Sequence, residues 1–293
     1  MTISAKVILD SISSTGIRLI TFQLRYPRFI HAEFMTHRLF SRNASSSRAV
    51  PIERLIQDIL LDPAMPEYWG LHQPGMQARK EGDSSVISCG KSVWYVAMTE
   101  AIENARELAR LGLHKQIVNR ILEPFSHINV VCTATDYANF YALRMHEDAQ
   151  PEIRMLAEAM FNAAAGSVPE YLGAGDWHLP YVSEEDNEQL WKMPRTVQCG
   201  HPGIPVSVAR CARVSYLTHD GRKTTLEEDT ALYERLLSSA PLHASPAEHQ
   251  ATPDGKFKYL TRNEPTWMHP EQWGNFRGWR QYRKMLPSEF VAG

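Results

Sequence analysis

"THRLFSRNASSSR", Thr36–Arg48, is the stretch on which the reading of this chain turns. Its thirteen residues hold three arginines, a histidine and four serines, set between the apolar segments "FIHAEFM" and "AVPIERLI". Such flanks pin both ends to a core, unlike those of a free linker. Guanidinium groups bind phosphate through paired donors, and hydroxyls with an Asn can complete the shell around an anion. On chemistry alone two readings stand, a solvated loop or an anion site.

The rest of the chain sets the limits. It has 293 residues, 43% of them hydrophobic and 22% charged, with a net charge of −2. That length supports a sizeable core. The near-neutral balance gives no global pull toward nucleic acid or a membrane surface, so an anion site has to be local. No apolar run has the length of a membrane span, and "MTISAKVILD" lacks a signal-peptide core. The expectation is a cytoplasmic protein. Cys89, Cys132, Cys199 and Cys211 are scattered without a CxxC pair, which predicts reduced thiols and no metal centre.

Outward from the opening stretch, "RLITFQLR" alternates Ile20, Phe22 and Leu24 with polar residues and predicts a half-buried strand. "IERLIQDIL" carries Ile52, Leu55, Ile56 and Ile59 at helical spacing. Residues 72–92 read as an excursion loop. Two helices follow, "WYVAMTEAIENARELARLG" with Gly112 as its stop, and "EDAQPEIRMLAEAMFNAAAG" with Asp148 as its cap. Between them "VCTATDYANFYALRMH" reads as helical. Beyond a Pro-, Gly- and Trp-rich connection over 168–205, an αβ-like unit begins near Val206. Its helix "TLEEDTALYERLLSSA" opens on a capping box of Thr225 and Glu228. The basic, aromatic "NFRGWRQYRKML" near the end predicts a helix packing its Trp and Tyr.

The opening stretch resembles the signature of the flavin-dependent thymidylate synthases, an Arg-His-Arg followed seven residues later by a Ser and then an Arg. The first arginine is Thr36 here, and Ala44 stands where the family has an acid. "LHKQIVNRILEP" and "NFYALRMHEDAQPEIR" resemble two further family segments. "CARVSYLTHDG" and "LHASPAEHQATP" resemble a strand and a turn that the family carries near its N-terminus. They lie here within 211–255, an expected rearrangement of order that requires Val206–Pro253 to fold back beside the first half.

What the resemblance implies is an α/β (α+β) fold, a mixed sheet flanked by helices. Residues 1–182 would form the main catalytic part and 183–293 a C-terminal part completing the flavin site, together one compact domain. The implied activity passes a one-carbon unit from methylenetetrahydrofolate to C5 of dUMP, with FAD-mediated reduction and NADPH as reductant, giving dTMP. The implied assembly is a homotetramer with shared active sites. Arg144 would stabilise charge on the pyrimidine. Glu33, Ser46, Ser47, Arg48 and Arg120 would bind the nucleotide with it. Thr36, His37, Arg38, Asn43, Asn139, Ser215, His243, Ser245 and Glu248 would face FAD.

Each assignment has a plain structural rival. Arg144 has Glu147 within reach on its segment, and Arg120 has an ordinary surface role. His37 has a place in the core, while His243 and Glu248 have a turn and cap role. Glu33 stands where the family has Gln, and an ionised carboxylate accepts hydrogen bonds but donates none. That suits an exocyclic amine, so dCMP as substrate, or a hydroxymethyl product, is an alternative. A non-catalytic flavin- or nucleotide-binding relative is another.

Overall fold

The molecule, a computed structural model, is described over residues 3–192, 200–214, 218, 221–238, 242–257, 265–287 and 289. β1 (Ser4–Ser13), β2 (Arg18–Pro27), β3 (Ser41–Ala44), β4 (His127–Ala134) and β5 (Glu170–Leu172) form a sheet of order β3-β4-β2-β1-β5. All neighbours are antiparallel except β1 and β5, so the sheet is mixed. The start of the chain is thus a hairpin. Gly16, at a φ of 77°, supplies the left-handed conformation that its turn requires.

The pleat of β2 decides the layering. Ile20, Phe22, Leu24 and Tyr26 project to one face, where they meet α5 (Ala138–Arg144) and α6 (Pro151–Ala165) through Phe140, Ile153, Leu156 and Met160. Thr21 lies on the other face and is also fully buried, because the C-terminal part covers that side. The half-buried strand of the sequence reading is therefore buried on both faces. α1 (His31–Met35) joins the first layer. α2 (Ile52–Leu61), α3 (Ser84–Arg110) and α4 (Lys115–Val118) build a separate cluster around Ile56, Ile59, Met98 and Ile102.

The covering part contains α7 (Glu184–Lys192), α8 (Ile204–Ala212) and α9 (Leu226–Ser238). Short strand pairs follow, β6 (Ala251–Pro253) with β9 (Trp279–Gln281), and β7 (Lys256–Phe257) with β8 (Thr266–Trp267). Leu19, Leu172, Ala251, Phe276 and Trp279 cluster across this junction. No helix among the described residues is long and apolar enough to cross a membrane.

Several sequence expectations change. The 72–92 loop ends at Asp83, whose carboxylate caps α3 by accepting from Val86 N at 2.9 Å. Gly90 lies inside that helix because a Cβ there would stand 2.8 Å from the Trp69 ring. "VCTATDYANFYALRMH" splits into the end of β4 and α5, since Val131 and Thr133 are β-branched and buried while Asp136 accepts from Ala138 N at 2.9 Å. Asp148 does not cap α6. Gln150 takes that position, and Asp148 pairs with Arg79 at 3.0 Å. "ARVSY" does not open as a strand, because α8 runs to Ala212 and Val214 follows in a left-handed turn, φ 61°. The tail packs Trp279 and Tyr282 as expected, but from a strand and a 3-10 turn. The capping box forms as read, with Thr225 N donating to Glu228 at 3.0 Å and Glu228 N to Thr225 at 3.2 Å.

Candidate functional site

β3 and its flanks carry the opening stretch past three groups of polar residues. The first is a cleft of about 210 Å³ between the end of α1 and α5. Thr36, His37, Arg38, Asn139 and Arg144 all line it, with Asp136 and Phe140. Five of the sequence-predicted residues, 108 positions apart at the extremes, thus share one concavity.

Arg144 is the charged centre of the cleft. Its Nε donates to His37 Nε2 at 2.9 Å and its Nη2 to Thr36 Oγ1 at 3.3 Å. The pairing with Glu147 does not occur. Among the described residues Arg38, Arg48 and Arg144 form no ion pair, so their charges are uncompensated. Burial, helped by Arg144 and Arg42, pushes the His37 pKa down to about 4. The imidazole is therefore neutral at pH 7, as an acceptor from arginine has to be.

The second group centres on Glu123, which the sequence reading did not single out. Its Oε1 accepts from Ser47 Oγ at 2.6 Å and from Arg120 Nη1 at 2.9 Å, with Arg28 Nη1 at 3.9 Å. Asn119, fully buried, ties the same loop down by donating to the carbonyls of Ser47 and Val50. Ser47 and Arg120 are thus brought together, while Ser46 and Arg48 extend into solvent. Burial also lowers the pKa of Arg28, an effect that the charge of Glu123 partly offsets. The signal for Glu123 was its place three residues beyond Arg120, one helical turn away.

The third group lies where the C-terminal part meets β3. Asn43 Nδ2 donates to the carbonyls of Cys211 (2.7 Å) and Ala212 (3.3 Å), and its Oδ1 accepts from Ser245 Oγ at 3.4 Å. Glu248 pairs with Arg283, and Gln281 Nε2 links the Glu248 carbonyl to Ser41 Oγ. His243 is exposed, its backbone N donating to the Leu236 carbonyl at 3.2 Å. Ser215 lies outside the described residues. Glu33 keeps one carboxylate oxygen, Oε2, buried without a hydrogen-bond partner.

Behind this junction runs a buried polar chain that sequence reasoning missed. Ser11 Oγ and Thr21 Oγ1 each bond a ring nitrogen of His178 at 2.8 Å, Thr21 bonds Thr133 at 2.7 Å, and Thr133 bonds His249 Nδ1 at 2.9 Å. Burial lowers both histidine pKa values to about 3. Among the described residues no group of three or more His, Cys, Asp or Glu is arranged to hold a metal.

The first cleft is smaller than the ~300–1,000 Å³ of a complete small-molecule pocket. It fits a phosphate or one ring of a dinucleotide, and its paired donors and uncompensated arginines suit an anionic ligand.

No curated protein matches the sequence. Two solved structures are similar in shape, both of the UMP/dUMP methylase PolB from Streptomyces cacaoi, one bound with 5-Br UMP and the other with 5-Br dUMP. Each is 20% identical and covers 56% of this chain, with 88% and 90% of its own length and TM-scores of 0.48 and 0.47. The model of the family described as thymidylate synthase complementing protein matches residues 17–170 and does not reach the 211–255 segment. That match spans more than half of the chain, and the chain belongs to the thymidylate synthase complementing protein family.

Proposed function

We propose that the protein is an FAD-dependent thymidylate synthase-like enzyme, moving a one-carbon unit from methylenetetrahydrofolate to C5 of dUMP and yielding dTMP. The observation that carries this reading is Arg144, an arginine without an acidic partner, fixed in a cleft by His37 and Thr36. A guanidinium so placed stabilises negative charge developing on a pyrimidine carbonyl oxygen, the electrostatic contribution that most favours attack from C5.

The remaining roles follow from the groups around it. Ser46, Ser47, Arg48 and Arg120 bind the nucleotide phosphate, with Glu123 setting the direction of Ser47 and Arg120. Arg38, Asn43, Asn139, Ser215, His243, Ser245 and Glu248 hold the flavin, with His37 and Thr36 at its edge. When bound, the flavin supplies the hydride chemistry, with NADPH as reductant. The limited size of the cleft supports a site completed by a second copy, in a homotetramer of the cytoplasm.

Glu33 favours a second reading. Its buried, unpartnered Oε2 is an acceptor that suits an exocyclic amine, so a methylase or hydroxymethylase acting on dUMP or dCMP is the alternative. Incubation of the FAD-loaded protein with each nucleotide, methylenetetrahydrofolate and NADPH tests both. Mass analysis giving dTMP from dUMP alone supports the first reading, and a product from dCMP supports the second.

A further inference from the structure

Three hydrogen bonds link Arg144, His37, Thr36 and the Glu33 carbonyl, each with a definite donor and acceptor. Arg144 Nε–H ends on His37 Nε2, which has to carry a lone pair, so the ring proton sits on Nδ1. Arg144 Nη2 ends on Thr36 Oγ1, and that hydroxyl spends its single hydrogen on the Glu33 carbonyl at 2.7 Å. A hydroxyl has two acceptor lone pairs, so it can donate backward and accept from Arg144 together.

The acceptors are themselves held. The His37 ring stacks on Phe40 (5.8 Å between centroids, 26°) and meets Phe140 edge-on (4.8 Å, 88°). Both phenylalanines are core residues, 3% and 2% exposed. The imidazole is therefore oriented by the same cluster that packs against β2, and Thr36 by the backbone of α1.

We infer that Thr36 and His37 are positioning residues that lock the Arg144 guanidinium, leaving its Nη1 and the second Nη2 hydrogen free for a ligand. Thr36 is the chain-specific half of this lock. The arginine that the resembled family carries at this place has no acceptor atom and would set a like charge beside Arg144. The departure from the family pattern is thus what makes the second hydrogen bond available. The catalytic consequence rests on the function proposed above, whereas the lock itself does not.

Around the His37 ring the charged groups are Arg144 on α5, Arg42 on β3, and Arg38 and Asp136 at the cleft wall. Burial, with the cationic Arg144 and Arg42, opposes protonation, so the acceptor stays in place across the neutral range.

The test uses the full-length protein. The ¹H–¹⁵N signal of Arg144 Nε–H, identified by its loss in Arg144→Lys, is followed for hydrogen exchange without nucleotide. Slow exchange in the parent chain, lost in His37→Leu and kept in His37→Gln, is the expected result. Equal exchange in the parent and His37→Leu overturns the lock, whatever the activity. With dUMP as substrate, Thr36→Val and Thr36→Arg are expected to lower kcat about tenfold or more with a smaller change in KM, as a misplaced catalytic group does. Thr36→Ser, which keeps the hydroxyl, restores it. A Thr36→Val enzyme with unchanged kcat overturns the positioning role of Thr36. Slow exchange in a parent protein that turns over no dUMP refutes the proposed function and leaves the lock standing.

Discussion

Asn43 Nδ2 donates to the Cys211 carbonyl at 2.7 Å, joining β3 to the end of α8 across 168 residues of chain. The amide works in both directions, because its oxygen accepts from Ser245. Aspartate has the same shape without the donor and would face two carbonyl oxygens. Asn43→Asp is therefore expected to cost about 1–3 kcal/mol of stability by leaving those carbonyls unpaired. Urea denaturation measures it, and flavin uptake should fall in the same variant.

Glu123 organises Ser47 and Arg120 without itself being suited to bind an anion. Glu123→Ala frees both side chains and removes the charge that steers them. The expected outcome is a KM for dUMP raised about tenfold, with kcat changed less, since uniform binding is what is lost. Steady-state kinetics separates the two constants.

The parts of the fold that local pattern determines were legible in the sequence. β2 as a strand, the helical spacing of Leu55, Ile56 and Ile59, and the Thr225–Glu228 box formed as read. Where long-range packing decides, local pattern misled. Thr21 reads as a solvent-facing residue until His178 and the C-terminal part cover it, and Gly90 reads as a loop residue until Trp69 packs on it. Arg144 could be named from its segment, but its acceptors lie more than 100 residues earlier and only the folded chain reveals them. Glu123 carried only a weak signal, because an acid one turn from an arginine is ordinary on any helix.

Arg210, on α8, is 1% exposed and bonds Asp186 at 2.6 Å and Asp229 at 2.8 Å. Asp229 also pairs with Arg213 and accepts from Thr224. Asp229→Ala leaves a buried guanidinium short of one partner, a loss expected to cost about 3–5 kcal/mol. Thermal and urea unfolding test it, and a loss below about 1 kcal/mol would mean that Asp186 alone suffices.

His178 and His249 predict an acid limb in stability. Burial lowers both pKa values to about 3, with His249 adding to the effect on His178, while an unfolded histidine titrates near ~6.5. Between those values the unfolded chain binds protons that the folded chain refuses. Stability is therefore complete above about pH 6.5 and falls as the pH drops toward 3, by up to about 1.4 kcal/mol per pH unit for each histidine. His178→Gln, which keeps a donor and an acceptor, should flatten that limb in a pH series of urea midpoints.

Pyrimidine chemistry at Arg144 is tested most directly by the mass of the nucleotide formed by the FAD-loaded protein from dUMP, methylenetetrahydrofolate and NADPH, beside the Arg144→Lys variant. The predicted result is dTMP from the parent chain, reduced about 10²–10³-fold in the variant, because lysine offers a point charge in place of a directed donor pair. Full turnover by the variant, or recovery of unchanged dUMP from a parent protein that has taken up FAD, would contradict it.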